Sequence, residues 1–285
     1  MNYVVIDAFA ARPFAGNPAA VLPLASPLPD PLLQAIASEF NLAETAFPRR
    51  LEDGRFELRW FTPLCEVRLC GHATLAAAHA LWRSGAVRQG EAIHFVTRSS
   101  GELVCHPHPQ GRIMMDFPAT PPQPAPLPPD AAGVLGITGA VTCVGTTSMN
   151  LTLRLPTAEH VRGCRPNLAV LATWHPVGVT VTAPGDEPDV DFVSRFFAPQ
   201  AGVPEDPVTG SAHCSLVPYW MAQTGRQSFT ARQLSARGGE LRVELHGDRV
   251  HMIGQAVTTM EGHLVFPGTE HDRADDGHRE PTDRH

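Results

Sequence analysis

The sequence predicts an α+β protein of two similar lobes, each a mostly antiparallel sheet wrapped around one central buried helix. Three observations carry this. The stretch after Leu69-Cys70-Gly71-His72 reads as a helix in which, from Ala73 to Trp82, only Thr74 and His79 are polar. A helix apolar nearly all round belongs inside a domain, not on its surface. A second mostly apolar helix opens at Gly210-Ser211-Ala212-His213 and runs to about Met221, with Pro218 expected to kink it. The two glycines lie 139 residues apart, close to half of the 285-residue chain. Between the helices, seven of the twelve residues 118–129 are proline, which predicts an extended, semi-rigid linker. The lobes are therefore expected at residues 1–117 and 130–254.

Each element has its own local signal. Tyr3 to Phe9 reads as a first strand and Ala19 to Leu24 as a second, joined through the turn at Phe14-Ala15-Gly16-Asn17-Pro18. Asp30 is placed to cap a helix over about 31–40, whose Leu32, Leu33, Ile36, Ala37 and Phe40 form one apolar stripe. Asn41 to Pro48 returns into a strand, and Phe56 to Thr62 alternates as another. After the buried helix, strands near 92–98, 102–106 and 112–117 make hairpins around Ser99-Ser100-Gly101 and Gln110-Gly111, with His106 and His108 flanking prolines in a turn. The second half gives strands near 141–146 and 150–155, a short helix near 158–161 and strands near 177–182 and 191–197. Hairpin strands near 240–245 and 249–254 follow the second buried helix, and 256–266 supplies a last strand pair. His160 has no evident partner in sequence. Residues 270–285 carry six acids and three arginines, which predicts a disordered polar tail over about 268–285.

Composition excludes several classes of function. A net charge of −7 disfavours nucleic acid, whose phosphates need a basic face. No run approaches the roughly 18–20 apolar residues of a membrane helix. The start, Met1-Asn2-Tyr3-Val4-Val5-Ile6-Asp7, lacks a basic leader and reads as a strand, so a cytoplasmic location is expected. All 22 basic residues are arginine. Without a lysine amine, Schiff-base chemistry, pyridoxal phosphate anchoring and a lysine-bearing phosphate loop are all excluded. The six cysteines are scattered and expected reduced. Neither Cys65, Cys70 and His72 nor Cys105, His106 and His108 has a second pair at finger-like spacing, so no metal is expected.

The first turns of both buried helices bring unpaired N–H groups and a positive dipole end into the interior or a cleft. A capping side chain such as His72 or Thr74 would satisfy them; so would an anionic ligand. If both helix starts face a cleft between the lobes, that cleft is an anion site. Ser211 and His72, in the first turns, read equally as caps or as substrate ligands. Glu44, within Ala43-Glu44-Thr45-Ala46-Phe47, is either a solvated charge or a carboxylate in an apolar cleft whose pKa rises toward neutrality. Asp206 before Pro207 is either a turn or cap residue or a second carboxylate coupled to Glu44. From the residues alone these fragments suggest acid–base chemistry and nothing sharper.

Four runs resemble one family. They are Phe14-x-Gly16-Asn17-Pro18, Glu44-Thr45-Ala46-Phe47, Phe61-Thr62-Pro63-x-x-Glu66-x-x-Leu69-Cys70-Gly71-His72-Ala73-Thr74, and Glu205-Asp206-Pro207-Val208-Thr209-Gly210-Ser211-Ala212-His213. With Ala256-Val257-x-x-x-Glu261-Gly262-x-Leu264 they are similar to the phenazine-biosynthesis PhzF-like family over about residues 1–267. The resemblance implies a diaminopimelate epimerase-like fold, often homodimeric, with residues 255–267 returning to the first lobe. It implies an isomerase without a cofactor, acting on a small anionic metabolite. Glu44 would be the acid/base, with Asp206 and His72 beside it, and Gly71, Ala73, Gly210 and Ser211 would hold the substrate. Related epimerases and proline racemases use two cysteines across the cleft. Cys70 matches one position, but Pro207 occupies the other, so a two-thiol racemase is the weaker alternative. A silent small-acid-binding protein is a third.

Overall fold

The computed structural model describes residues 1–265, so the polar tail expected over 268–285 lies outside the described residues. The chain opens with β1 (Asn2–Ala8) and β2 (Asn17–Val21), crosses through α1 (Asp30–Phe40), and returns as β3 (Glu44–Arg50) parallel to β2. It continues through β4 (Phe56–Phe61) and the short β5 (Glu66–Val67) into α2 (Gly71–Arg83). Then come β6 (Ile93–Val96), β7 (Glu102–His108) and β8 (Arg112–Pro118). The second half begins with α3 (Ala131–Leu135), β9 (Thr142–Thr146), β10 (Asn150–Arg154), α4 (Ala158–Gly163) and α5 (Leu168–Leu171). It proceeds through β11 (Gly178–Pro184), β12 (Phe192–Ala198) and β13 (Val203–Asp206) to α6 (Gly210–Thr224). Strands β14 (Ser228–Gln233), β15 (Gly239–His246), β16 (Arg249–Gly254) and β17 (Ala256–His263) complete it.

Hydrogen bonding joins the strands into one winding sheet. From β17 it passes to β1, β2, β3, β4, β6, β7 and β8, wrapping α2. Pairing of β8 with β16 carries it into β15, β14, β12, β11, β10 and β9, wrapping α6. Each helix is thus a plug inside a rolled sheet, which is why α2 needs no polar face: eleven of its thirteen residues are buried. The apolar interior around α2 and α6 is continuous. Smaller cores sit beneath α1 and between the second lobe's sheet and α3 to α5.

Several expectations are corrected. Asp30 does not cap α1; its carboxylate pairs instead with Arg59 at 2.8 Å and with Arg98. His106 and His108 lie in β7 rather than in a turn, because β7 tolerates Pro107 and extends to His108. The expected last strand pair is one strand, β17, running on from β16 through Gln255. The second buried helix continues through Pro218 to Thr224. His160 has a partner: its Nδ1 lies 2.7 Å from Thr157 Oγ1.

Candidate active site

The starts of α2 and α6 meet at the centre of the molecule. A Cβ on Gly71 would come 3.1 Å from Gly210 Cα, and one on Gly210 would come equally close to Gly71 Cα. Only two residues without side chains let the helix ends approach so closely. Among the described residues, neither N-cap residue, Cys70 or Thr209, makes a side-chain cap hydrogen bond. Thr74, one possible cap, turns its hydroxyl to the Cys70 carbonyl instead. The adjacent cavity, about 340 Å³, is lined by Glu44, Cys70, Gly71, His72, Asp206, Gly210 and Ser211, with Leu69, Met149, Val177 and Phe196 along an apolar wall. Orphan amides and two dipole ends therefore face a cavity of small-molecule size.

Glu44 enters from the first residue of β3 and His72 from the first turn of α2. Glu44 Oε2 stands 3.2 Å from His72 Nε2, yet neither atom has a well-aligned hydrogen-bond partner among the described residues. Asn17, at the start of β2, organises the opposite side. Its Nδ2 donates to Asp206 Oδ1 at 2.7 Å and to the Val208 carbonyl at 3.0 Å, and lies 2.9 Å from His72 Nδ1. Two oxygen acceptors fix the orientation of that amide. An amide nitrogen cannot accept, and the Cys70 thiol 3.5 Å away can donate, so His72 Nδ1 is assigned the lone pair and Nε2 the proton, toward Glu44 and the cavity. Asp206 Oδ2 accepts from Thr209 Oγ1 at 2.5 Å. Gln233 of β14 donates to the Asp206 carbonyl at 2.6 Å and accepts from the Thr209 N–H at 2.9 Å.

Burial sets the protonation states. Loss of solvent, with the Asp206 charge adding, pushes Glu44 up to about 8. Loss of solvent also raises Asp206, to about 6, although its bonds from Thr209 and Asn17 pull it back. It lowers His72 to about 3, so this imidazole is neutral. The Cys70 thiol is pushed well above its ordinary value by burial and by the Glu44 charge, which makes it a poor nucleophile. One ligating atom from each of Glu44, Cys70 and His72 lies within 4.8 Å of the others. Their protonated thiol and raised carboxyl make a poor donor set for a cation.

The structure brings Glu44, His72, Asp206, Gly71, Gly210 and Ser211 around one cavity, but Ala73 is fully buried and does not line it. Sequence reasoning missed Asn17, Thr209 and Gln233 as site residues. Asn17 read as part of a turn and of a family-like run with no role attached, and the strand holding Gln233 went unrecognised.

The chain matches the phenazine biosynthesis-like protein family over residues 6–262. It belongs to that family. An uncharacterized isomerase of Pseudomonas aeruginosa is 49% identical over 264 residues, covering 93% of this chain and 98% of that protein. The crystal structure of a PhzF family protein from Enterococcus faecalis superposes with a TM-score of 0.84 at 38% identity, covering 93% of this chain and 99% of that one. The fold extends further. A probable proline racemase from Agrobacterium radiobacter, 10% identical, gives a TM-score of 0.59 over 94% of both chains.

Proposed function

We propose that this family member is a cofactor-independent isomerase of a small carboxylate-bearing metabolite, with Glu44 as the single acid/base. The observation that carries this is the pair Glu44 Oε2 and His72 Nε2, both buried, both without an aligned partner and both beside uncapped helix starts. The substrate carboxylate binds the amides around Gly71 and Gly210, and the Ser211 hydroxyl lies within the same wall. Ionised Glu44 takes a proton from a carbon conjugated to that carboxylate. The C–H electron pair delocalises toward the carboxylate oxygens, where the helix dipoles and the His72 Nε2–H oppose the developing charge. Glu44, now protonated, returns the proton to another carbon of the same system, so no atom is gained or lost. A base with a raised pKa suits this work, because it binds the carbon-derived proton firmly yet releases it near neutral pH. Asp206, held by Asn17 and Thr209, keeps a second charge beside Glu44 and sustains that shift. A phenazine-type pathway, a cytoplasmic location and a homodimer belong to the same proposal. Among the described residues no helix is long and apolar enough to cross a membrane.

The test is proton exchange. Small unsaturated and amino carboxylates are incubated with the enzyme in deuterated water, and loss of carbon-bound proton signal is followed by NMR. For a compound that exchanges, Glu44→Gln is expected to lower the rate about 10³-fold, while Cys70→Ala stays within a few-fold of wild type. Full turnover by Glu44→Gln overturns the assignment. If Cys70→Ala abolishes exchange and Glu44→Gln spares it, the enzyme is a thiol-dependent racemase instead.

A further inference from the structure

Away from the cleft, β15 and β16 carry another cluster of ligating side chains. Glu244 and His246 are two residues apart on β15, so they leave the strand on the same face. His251 of β16 is the direct cross-strand partner of Glu244. One ligating atom from each of the three lies within 4.8 Å of the others. His246 Nε2 is 3.2 Å from Glu244 Oε2, and the two imidazole rings stack with centroids 4.2 Å apart. One strand further on, Asp116 of β8 pairs with His251 and places Oδ1 3.9 Å from its Nε2. The alternate residues Val243, Leu245, Val250 and Met252 point into the core, so the cluster occupies the outer face of the sheet.

An i, i+2 pair on one strand and a third residue opposite it on the next fix three donors at the corners of a triangle. Its remaining side is open to solvent. Two imidazoles with one carboxylate are a donor set for borderline divalent ions. We propose that Glu244, His246 and His251 bind one such ion, of the zinc, nickel or copper type, with Asp116 orienting His251. Asp116 would act through the ring's second nitrogen, as carboxylates behind metal-bound histidines do. The charges nearby define which ion. Arg242 Nε holds Glu244 Oε1 at 2.9 Å and Arg249 Nε holds Asp116 Oδ1 at 2.8 Å, while His106 of β7, opposite Met114, lies near enough to act on His251 electrostatically. The two arginines oppose magnesium or calcium, hard ions that rely on carboxylate and other oxygen ligands. They leave Glu244 Oε2 facing His246 Nε2 at 3.2 Å, a contact that an ion held between the two would replace. A bound ion would cross-link β15 to β16 beside the β8–β16 pairing that joins the two lobes.

The probe is zinc chloride titrated into the full chain by calorimetry, with magnesium chloride in parallel and melting followed in both. Wild type is expected to take up one more equivalent of zinc than the His246→Asn/His251→Asn double variant, and to gain melting temperature that the variant does not. Glu44→Gln is expected to keep that equivalent, which separates this site from the cleft. Glu244→Gln, with both rings intact, is expected to weaken zinc at least tenfold and serves if the double variant does not fold. Histidines elsewhere contribute equally to wild type and variants and cancel in the difference. Equal uptake by wild type and double variant overturns the proposal, and so does magnesium binding as tightly as zinc.

Discussion

At the scale of single residues, Glu44 shows how burial becomes chemistry and how it costs stability. Its carboxyl titrates at about 8 in the folded protein against 4.5 for an exposed glutamate. Between those values the folded state binds more protons than the unfolded one, so stability falls as pH rises through this window. Below about pH 4.5 both states are protonated and the effect vanishes. The side chain is 15% exposed within the site, which admits some water and moderates the cost. Glu44→Gln is therefore expected to be more stable than wild type at pH 8, by roughly 1–3 kcal/mol, and equally stable at pH 4. Thermal melts across that range check this; a variant less stable at pH 8 would contradict it. The residues legible from sequence were those whose chemistry is local to a motif: Glu44, His72, Asp206 and Ser211. Asn17 was not, because its meaning lies in a partner 189 residues away, Asp206. Gln233 was hidden for the same reason: it serves two groups, Asp206 and Thr209, that only folding brings near.

At the scale of elements, α2 and α6 were legible because a helix apolar on every side has one place to go. Their contact was not legible, since it depends on two glycines far apart in sequence coming together. The close approach predicts what a methyl group would do. Gly71→Ala places a Cβ 3.1 Å from Gly210 Cα, and the obstacle is backbone, which cannot rotate away. The helix starts must separate by a few tenths of an ångström. Stability is expected to fall by about 1–3 kcal/mol, and turnover to fall about 10–100-fold as the anion site opens. Gly210→Ala is expected to behave alike, whereas Ala73→Gly, away from that contact, would cost stability without this loss of turnover. Retained activity in Gly71→Ala would mean the helix starts need not touch. Other elements escaped sequence reading for physical reasons. Strand β14, Ser-Phe-Thr-Ala-Arg-Gln, is short and gains its identity from parallel pairing with β12 and antiparallel pairing with β15. The helices α3 and α5 are five and four residues long, too short for a periodic signal.

At the scale of the whole molecule, the two rolled halves of the sheet are expected to hold the cleft only if the lobes keep a fixed relation. One clamp between them is specific. Arg237, between β14 and β15 of the second lobe, reaches into the first. It donates to Asp7 Oδ1 at 2.8 Å, to the Gly16 carbonyl at 2.8 Å and to the Ala15 carbonyl at 3.2 Å. Asp7 is buried on β1 and also accepts from the Phe14 N–H at 2.7 Å. The Gly16 N–H donates to the Gly238 carbonyl at 2.8 Å. These bonds pin the loop that precedes Asn17, and Asn17 orients both His72 and Asp206. Gly16 has φ +65°, and a Cβ there would meet the Ala8 carbonyl oxygen at 2.2 Å, so the loop has little freedom to re-form elsewhere. Arg237→Ala leaves the buried Asp7 carboxylate without its counter-charge. Because Arg237 is about one-third exposed, the cost is expected at or just below the low end for broken buried pairs, roughly 2–3 kcal/mol. Arg237→Lys keeps a charge but loses the planar fork that spans Asp7 and two carbonyls, so it is expected to recover only part. A double-mutant cycle with Asp7→Asn separates the ion pair from the carbonyl contacts. A coupling near 1–2 kcal/mol is expected, with a residual loss of turnover in Arg237→Ala that Asp7→Asn does not share, because the loop bearing Asn17 has been released. If Arg237→Ala melts and turns over like wild type, the cleft is set by the helix starts and the continuous sheet alone.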